Sequence, residues 1–306
     1  MIDRLLLPYD SSPSSKRALL YAVDVAQRTG AVLHIVHVRE VSLGPMVKGD
    51  PSPVAGEEEL MADLRDQLEE GVRAALDAYG LDLPDDRVRY HAARSQAAAP
   101  SIVRTAEETE TDLIVMGTQG RRGLRRAVLG SVAREVLRTA PCPVLDTRAL
   151  DDDDPIGTTD VERVVAPVDF SEPSEAALRY AGRAASLYEA PIKLVHVVEP
   201  PSLPSVYEIE SPKLSSRKVK ARAEQALEEW GAELTADGHE VTYIVHHGDP
   251  APLILDAAPA RTDLLVMATR GLSGLRRTML GSVTEEVISR AEGPVLAGRV
   301  FPSEDT

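Results

Sequence analysis

The chain repeats itself, and that repeat constrains its fold more than any local pattern does. RLLLPYDSSPSSKRALLYA at 4–22 lines up with RVVAPVDFSEPSEAALRYA at 163–181, and VLHIVHVRE at 32–40 with PIKLVHVVE at 191–199, both 159 positions apart. TDLIVMGTQGRRGLRRAVLGSVAREVL at 111–137 lines up with TDLLVMATRGLSGLRRTMLGSVTEEVI at 262–288, now 151 apart, so the first copy is eight residues longer in its middle. Each copy has the length of a typical single domain and is long enough to bury its own core. Between them lies ALDDDDPIGTTD at 149–160, whose four consecutive carboxylates, proline and glycine cannot pack as a core element. The expected organisation is a domain at 1–148, an acidic linker at 149–160 and a second domain at 161–302.

Within each copy, short β-rich apolar runs alternate with longer amphipathic stretches, the pattern of β-α units around a parallel sheet. Strands are expected near 4–8, 32–38, 88–92, 113–116 and 143–146, and again near 163–168, 192–198, 240–246, 264–267 and 295–298. Helices fit at 14–29, 57–79, 98–109 and 129–139, then at 173–188, 214–236, 251–258 and 280–291. Right-handed crossovers favour a doubly wound α/β sheet, with functional loops beyond the C-terminal strand ends at the topological switch point. That points to the residues after strands one and four of each copy.

Strand four of the first copy ends at Met116 and runs into Gly117-Thr118-Gln119-Gly120, and Gly130-Ser131 then opens a helix. Glycines there let backbone amides approach an anion, and a helix N-terminus adds favourable partial charge, with Ser131 as hydroxyl donor or N-cap. The same residues also serve a tight turn and an ordinary cap, so the glycines alone leave both uses open.

The full pattern, G-x2-G-x9-G-S after an LIVMG strand with an aspartate at the end of strand one, resembles the universal stress protein family in its tandem, haloarchaeal-type form, and the resemblance covers both copies. It implies two doubly wound parallel five-stranded sheets, Rossmann-like and similar to the adenine nucleotide alpha hydrolases, in strand order 3-2-1-4-5. It also implies binding of ATP or AMP, with Mg2+ as an associated ion. The implied nucleotide site of the first copy is Pro8, Asp10, Val38, Met116, Gly117, Gly120, Gly130, Ser131 and Val132. The matching positions of the second are Pro167, Asp169, Val197, Met267, Ala268, Gly271, Gly281, Ser282 and Val283. Ala268 stands where the first motif glycine would be; its methyl narrows the approach to a phosphate and it does not take a positive φ cheaply. The first copy departs too, reading Ser95-Gln96-Ala97 where the second has Gly248-Asp249-Pro250. Arg125 and Arg276 occupy equivalent positions after the glycine loops and would draw a polyphosphate.

Other chemistries are thinly supported. There is no G-x4-G-K-[ST] phosphate loop, no G-x-G-x-x-G fingerprint after strand one and no G-x-S-x-G elbow. The lone Cys142 can form neither an internal disulfide nor a cysteine zinc site. His34 and His37 sit three apart on one strand, facing opposite sides, and cannot easily share a metal. His37 and His196 are equivalent and suit a structural role beside strand two. The net charge of −15 argues against nucleic acid and anionic membrane as partners, and no apolar run is long enough to span a bilayer. The opening MIDRLLLPYD lacks a secretory h-region, so the expected location is cytoplasmic. Only six cations are lysine (Lys16, Lys48, Lys193, Lys213, Lys218 and Lys220), a balance expected of a halophilic protein. The function expected is stress response through nucleotide binding. A weak Mg-dependent ATPase using Asp10 or Asp169 and a nucleotide-free dimerisation scaffold are the alternatives. Family members pair through their last strands, so the resemblance also implies pseudo-twofold pairing of 144–149 with 295–300, and a possible homodimer.

Overall fold

The computed structural model describes residues 2–41, 57–117, 129–147, 159–199, 216–269 and 280–298. Two compact units divide the chain, residues 1–159 and 160–306. In the first, β1 (Arg4–Pro8), β2 (Val32–Glu40), β3 (Val88–Ser95), β4 (Leu113–Gly117) and β5 (Val144–Thr147) alternate with α1 (Pro13–Thr29), α2 (Glu57–Tyr79), α3 (Ala98–Glu108) and α4 (Ser131–Thr139). All pairings among these strands are parallel, in the lateral order β3-β2-β1-β4-β5. In the second unit, β6 (Arg163–Pro167), β7 (Ile192–Val198), β8 (Val241–His247), β9 (Asp263–Ala268) and β10 (Val295–Gly298) pair in the same way, as β8-β7-β6-β9-β10. Their helices are α5 (Glu172–Tyr188), α6 (Ser216–Trp230), α7 (Ala232–Ala236), α8 (Pro250–Ala257) and α9 (Ser282–Arg290).

The strands read as apolar runs because helices cover both faces of a parallel sheet, leaving no solvent face to alternate towards. Leu5, Leu6 and Leu7 are wholly buried in β1, as are Val164, Val165 and Ala166 in β6. α1 packs on β4 and β1, whereas α3 packs on β2 and against α4. Leftward steps from β1 and rightward steps from β4, each right-handed, put their helices on opposite faces. The chain direction therefore splits between β1 and β4, and beyond the C-terminal ends of strands at such a switch point is where open α/β sheets place their ligand crevice.

One expected helix is two. The stretch 214–236 breaks at Gly231, between α6 and α7. A Cβ at Gly231 would lie 2.8 Å from the Tyr243 ring and 3.0 Å from Leu194 Cδ1. Only glycine lets the backbone settle that closely on the sheet, and its low helix propensity permits the pause.

Candidate nucleotide-binding crevice

The residues singled out after strand one are held by a short polar network at the start of α1. Ser12 caps the helix, accepting from Ser15 N, and its own N–H donates to Asp10 Oδ1 at 3.0 Å. The Asp10 N–H donates to Ser15 Oγ at 3.3 Å. The second unit repeats this: Ser171 caps α5, its N–H donates to Asp169 Oδ1 at 3.1 Å, and the hydroxyls of Ser171 and Ser174 both donate to that oxygen. Such an aspartate at a helix start is fixed in direction by backbone and hydroxyl donors. Between aspartate and cap the chain takes a left-handed step, at Ser11 (φ 63°) in one unit and Phe170 (φ 59°) in the other.

The sheet register lines up the remaining positions. Pro8 pairs with Val36 and Pro167 with Val195, so continuing two residues sets Asp10 level with Val38 and Asp169 level with Val197. Leu6 pairs with Ile114 and Val165 with Leu265, which sets Pro8 level with Met116 and Pro167 level with Met267. The two methionines are buried and the two valines half-buried. His37 and His196 pin this edge: the Nδ1–H of His37 donates to the Tyr9 carbonyl at 2.9 Å and that of His196 to the Val168 carbonyl at 2.7 Å. A carbonyl only accepts, so each imidazole carries its proton on Nδ1. The structural role expected of these histidines is what the geometry gives them.

Gly117 is glycine for packing. A Cβ there would fall 2.6 Å from Ser14 Cβ and 2.7 Å from the Ser14 carbonyl carbon and oxygen, so the first turn of α1 occupies its place. Neither Gly117 nor Ala268 has a positive φ, which removes the backbone-strain argument against the alanine. The small residue has instead moved across the strand pair. Gly117 faces Thr147 in the register of β4 and β5, while Ala268 faces Gly298 in that of β9 and β10, and Gly298 lies under the Tyr180 ring.

Ser131 and Ser282 are the first residues of their helices, exposed, and not the N-caps. The caps are Gly130 and Gly281, which have no side chain to bond the first-turn amides, and Val132 and Val283 follow half-buried. Among the described residues no cap side chain bonds the first-turn amides of these nine-residue helices, and a helix N-terminus is disposed to take an anion. In the second unit that helix start is tied to the end of β9. Gly281 N donates to the Thr269 carbonyl at 2.9 Å, and the Thr284 hydroxyl donates to the Ala268 carbonyl at 3.0 Å. Gly120, Arg125, Gly271 and Arg276 lie outside the described residues.

Two features escaped the sequence reading. Glu40, at the end of β2, accepts from the Ala98 N–H at 3.0 Å, so a carboxylate from the neighbouring strand caps α3 where Ser95-Gln96-Ala97 offers no capping side chain. In the second unit Phe170 packs on His196 and edge-on to Trp230, with centroids 4.6 and 5.3 Å away. The first unit has Ser11 there and buries the aromatic ring of Tyr9 two residues earlier, where the second has Val168. Among the described residues no cluster of three or more His, Cys, Asp or Glu side chains is arranged for a metal, and no helix is long and apolar enough to cross a membrane.

Comparison with known proteins agrees with this architecture. The model of the Universal stress protein family matches residues 1–148 and 161–299. A universal stress protein of Mycobacterium tuberculosis is 29% identical over 301 residues, covering 95% of both chains. One from Methanocaldococcus jannaschii is 36% identical over 146 residues, 47% of this chain and 81% of that one. Among solved structures, a universal stress protein from Archaeoglobus fulgidus superposes with a TM-score of 0.64 at 22% identity, over 99% of this chain and 98% of its own, which speaks to the fold.

Proposed function

We propose that this chain, which belongs to the universal stress protein family, binds an adenine nucleotide in the crevice of each unit and acts in stress response. The observation that carries the reading is the pair of glycine-capped helices, α4 and α9, each opening on an exposed serine at the end of a conspicuous glycine-bearing loop sequence. With no side chain on the first-turn amides, the phosphates of ATP or AMP are the natural acceptors. In this proposal Asp10 and Val38, and Asp169 and Val197, meet the ribose and adenine. Met116, Gly117 and Pro8, with Met267, Ala268 and Pro167, floor the crevice. Gly120, Arg125, Gly130, Ser131 and Val132, with Gly271, Arg276, Gly281, Ser282 and Val283, take the phosphates, and Mg2+ accompanies ATP there by binding phosphate oxygens.

Placing a ligand in both units rests on the φ values: nothing in the backbone at Ala268 demands glycine. The same proposal includes domains at 1–148 and 161–302 joined by 149–160, pairing between domains or between chains, and a working range at high salt in the cytoplasm. Binding comes first in this reading, because each aspartate carboxylate is already engaged by the amide of its capping serine, Ser12 or Ser171. The deciding experiment is denaturation of the purified protein followed by mass spectrometry and quantitation of released nucleotide. Two equivalents per chain are expected, one equivalent restricts the reading to the first unit, and none, together with no thermal shift on adding ATP and Mg2+, removes it. A phosphate-release assay on the wild type and Asp10→Ala separates binding from hydrolysis, and small-angle scattering reports the pairing.

A further inference from the structure

The first unit contains a histidine pair that the crevice does not use. His34 on β2 and His91 on β3 are joined through Nδ1 and Nε2 at 2.9 Å, both half-buried. Their ring centroids are 5.1 Å apart with planes within 20°, which, given that nitrogen separation, sets the rings end to end, not face over face. This is an in-line bond in which one imidazole N–H donates to the bare nitrogen of the other. The register makes it possible: His34 pairs with Arg89 and Val36 with His91, so the two side chains project from the same sheet face, two residues out of step. β3 is the outer strand of its unit, and among the described residues β2 is its only strand neighbour. The pair is a side-chain clasp holding the edge strand.

Such a clasp counts protons. Two neutral rings make the bond, and a singly protonated pair makes it more strongly, because the imidazolium donates to a neutral acceptor. A second proton leaves two N–H groups pointing at each other and two like charges in contact, and the bond is gone. The surroundings resist that charge. Facing His34 are Arg4 from β1 and Arg89 from β3, while Arg65 from α2 and Glu108 from α3 face His91, Glu108 alone favouring protonation. Burial, then His91, Arg89 and Arg4, pull His34 down to about 4, and burial with Arg65 lowers His91. The second unit has none of this. Lys193 stands at the position equivalent to His34, its ammonium donating to the Ala257 carbonyl at 3.1 Å, and Ile244 stands at that of His91.

We propose that the His34–His91 pair is a proton-operated clasp on the edge strand of the first unit, closed at neutral pH and released by acid, so that acidification frays β3 and leaves its counterpart β8 in place. The pair is half-exposed and so within reach of solvent protons. Its release uncovers the hydrogen-bonding edge of β2, the strand whose far end carries Val38. The device acts whether or not nucleotide binds.

Hydrogen exchange on the intact chain tests it, at about pH 7 and about pH 3.5, corrected for intrinsic rates. Amides of 88–95 should lose protection by about tenfold or more in acid, and those of 241–247 by less than about threefold. Equal losses in β3 and β8 would overturn the proposal. The double variant His34→Lys/His91→Ile, carrying the second unit's residues, should erase the difference, and a persisting difference counts against the clasp. Should that variant not fold, an imidazole nitrogen NMR titration of the wild type decides. Two coupled steps below the ordinary histidine value support the clasp, and independent titration of both rings at that value overturns it.

Discussion

Replacing Gly117 by alanine should cost the first unit about 2 kcal/mol, and the structure supplies the reasons. The new methyl would meet Ser14 Cβ at 2.6 Å and its carbonyl carbon and oxygen at 2.7 Å. Carbon contacts are comfortable from about 3.5 Å, so the first turn of α1 must retreat by close to an ångström. What yields is backbone, which has no rotamer to change, so the penalty belongs near the top of the roughly 1–3 kcal/mol range for overpacking. The stiffer unfolded chain returns roughly 0.5–1 kcal/mol of it. For a unit of this size each kcal/mol moves the midpoint by about 2–4 °C, so calorimetry should register a fall of about 4–8 °C in the transition of the first unit. The mirror change, Ala268→Gly, opens space and only loosens the strand, and should stay within about 1 kcal/mol. Equal melting of Gly117→Ala and wild type, or equal shifts for the two substitutions, would refute the claim that α1 sets this position. Because Ser12 in the displaced turn also orients Asp10, the proposed nucleotide site should hold less ligand in Gly117→Ala than in the wild type.

Asp263 is almost fully buried and accepts both Arg163 Nε and Nη2 and the Ala260 amide, so Asp263→Ala should destabilise the second unit by about 3 kcal/mol in denaturant titration, with Arg163, a third exposed, regaining some hydration. Ser171→Ala removes the cap of α5 and one donor to Asp169, and should cost about 1 kcal/mol on the same titration. For the histidine pair the folded values lie below the unfolded one, so its contribution is fully present above about pH 6.5 and is lost as pH falls towards 4; urea midpoints of the wild type should decline across that window more steeply than those of His34→Lys/His91→Ile. At a net charge of −15, raising KCl should raise the melting temperature of the whole chain by screening carboxylate repulsion, and a flat response would sink the salt-adapted reading.

The elements were legible because each is announced locally. Strands buried on both faces spell continuous apolar runs, α1 and α5 carry serine caps followed by proline, and the duplication lets each copy check the other. What stayed hidden depends on neighbours far along the chain. The pause at Gly231 is set by Tyr243 and Leu194, and the Glu40 cap on α3 bridges 58 positions. His34 reaches His91 across 57 positions through a register that no periodicity encodes. At Gly117 the sequence shows that a glycine is wanted without showing for whom; it suits anion approach and a tight turn alike, and the occupant of the space is a helix.

The bond from Gly281 N to the Thr269 carbonyl has a bearing on how such proteins diversify. It fastens together the two ends of the stretch that carries Gly271 and Arg276, so the anchor points stand independently of what is strung between them. For a flexible stretch whose ends are held together, doubling its length adds only about 0.6 kcal/mol of entropic cost. Changes of length and charge between Thr269 and Gly281 should therefore cost the scaffold little, and under the proposed binding role recognition can be retuned without first re-solving the problem of folding.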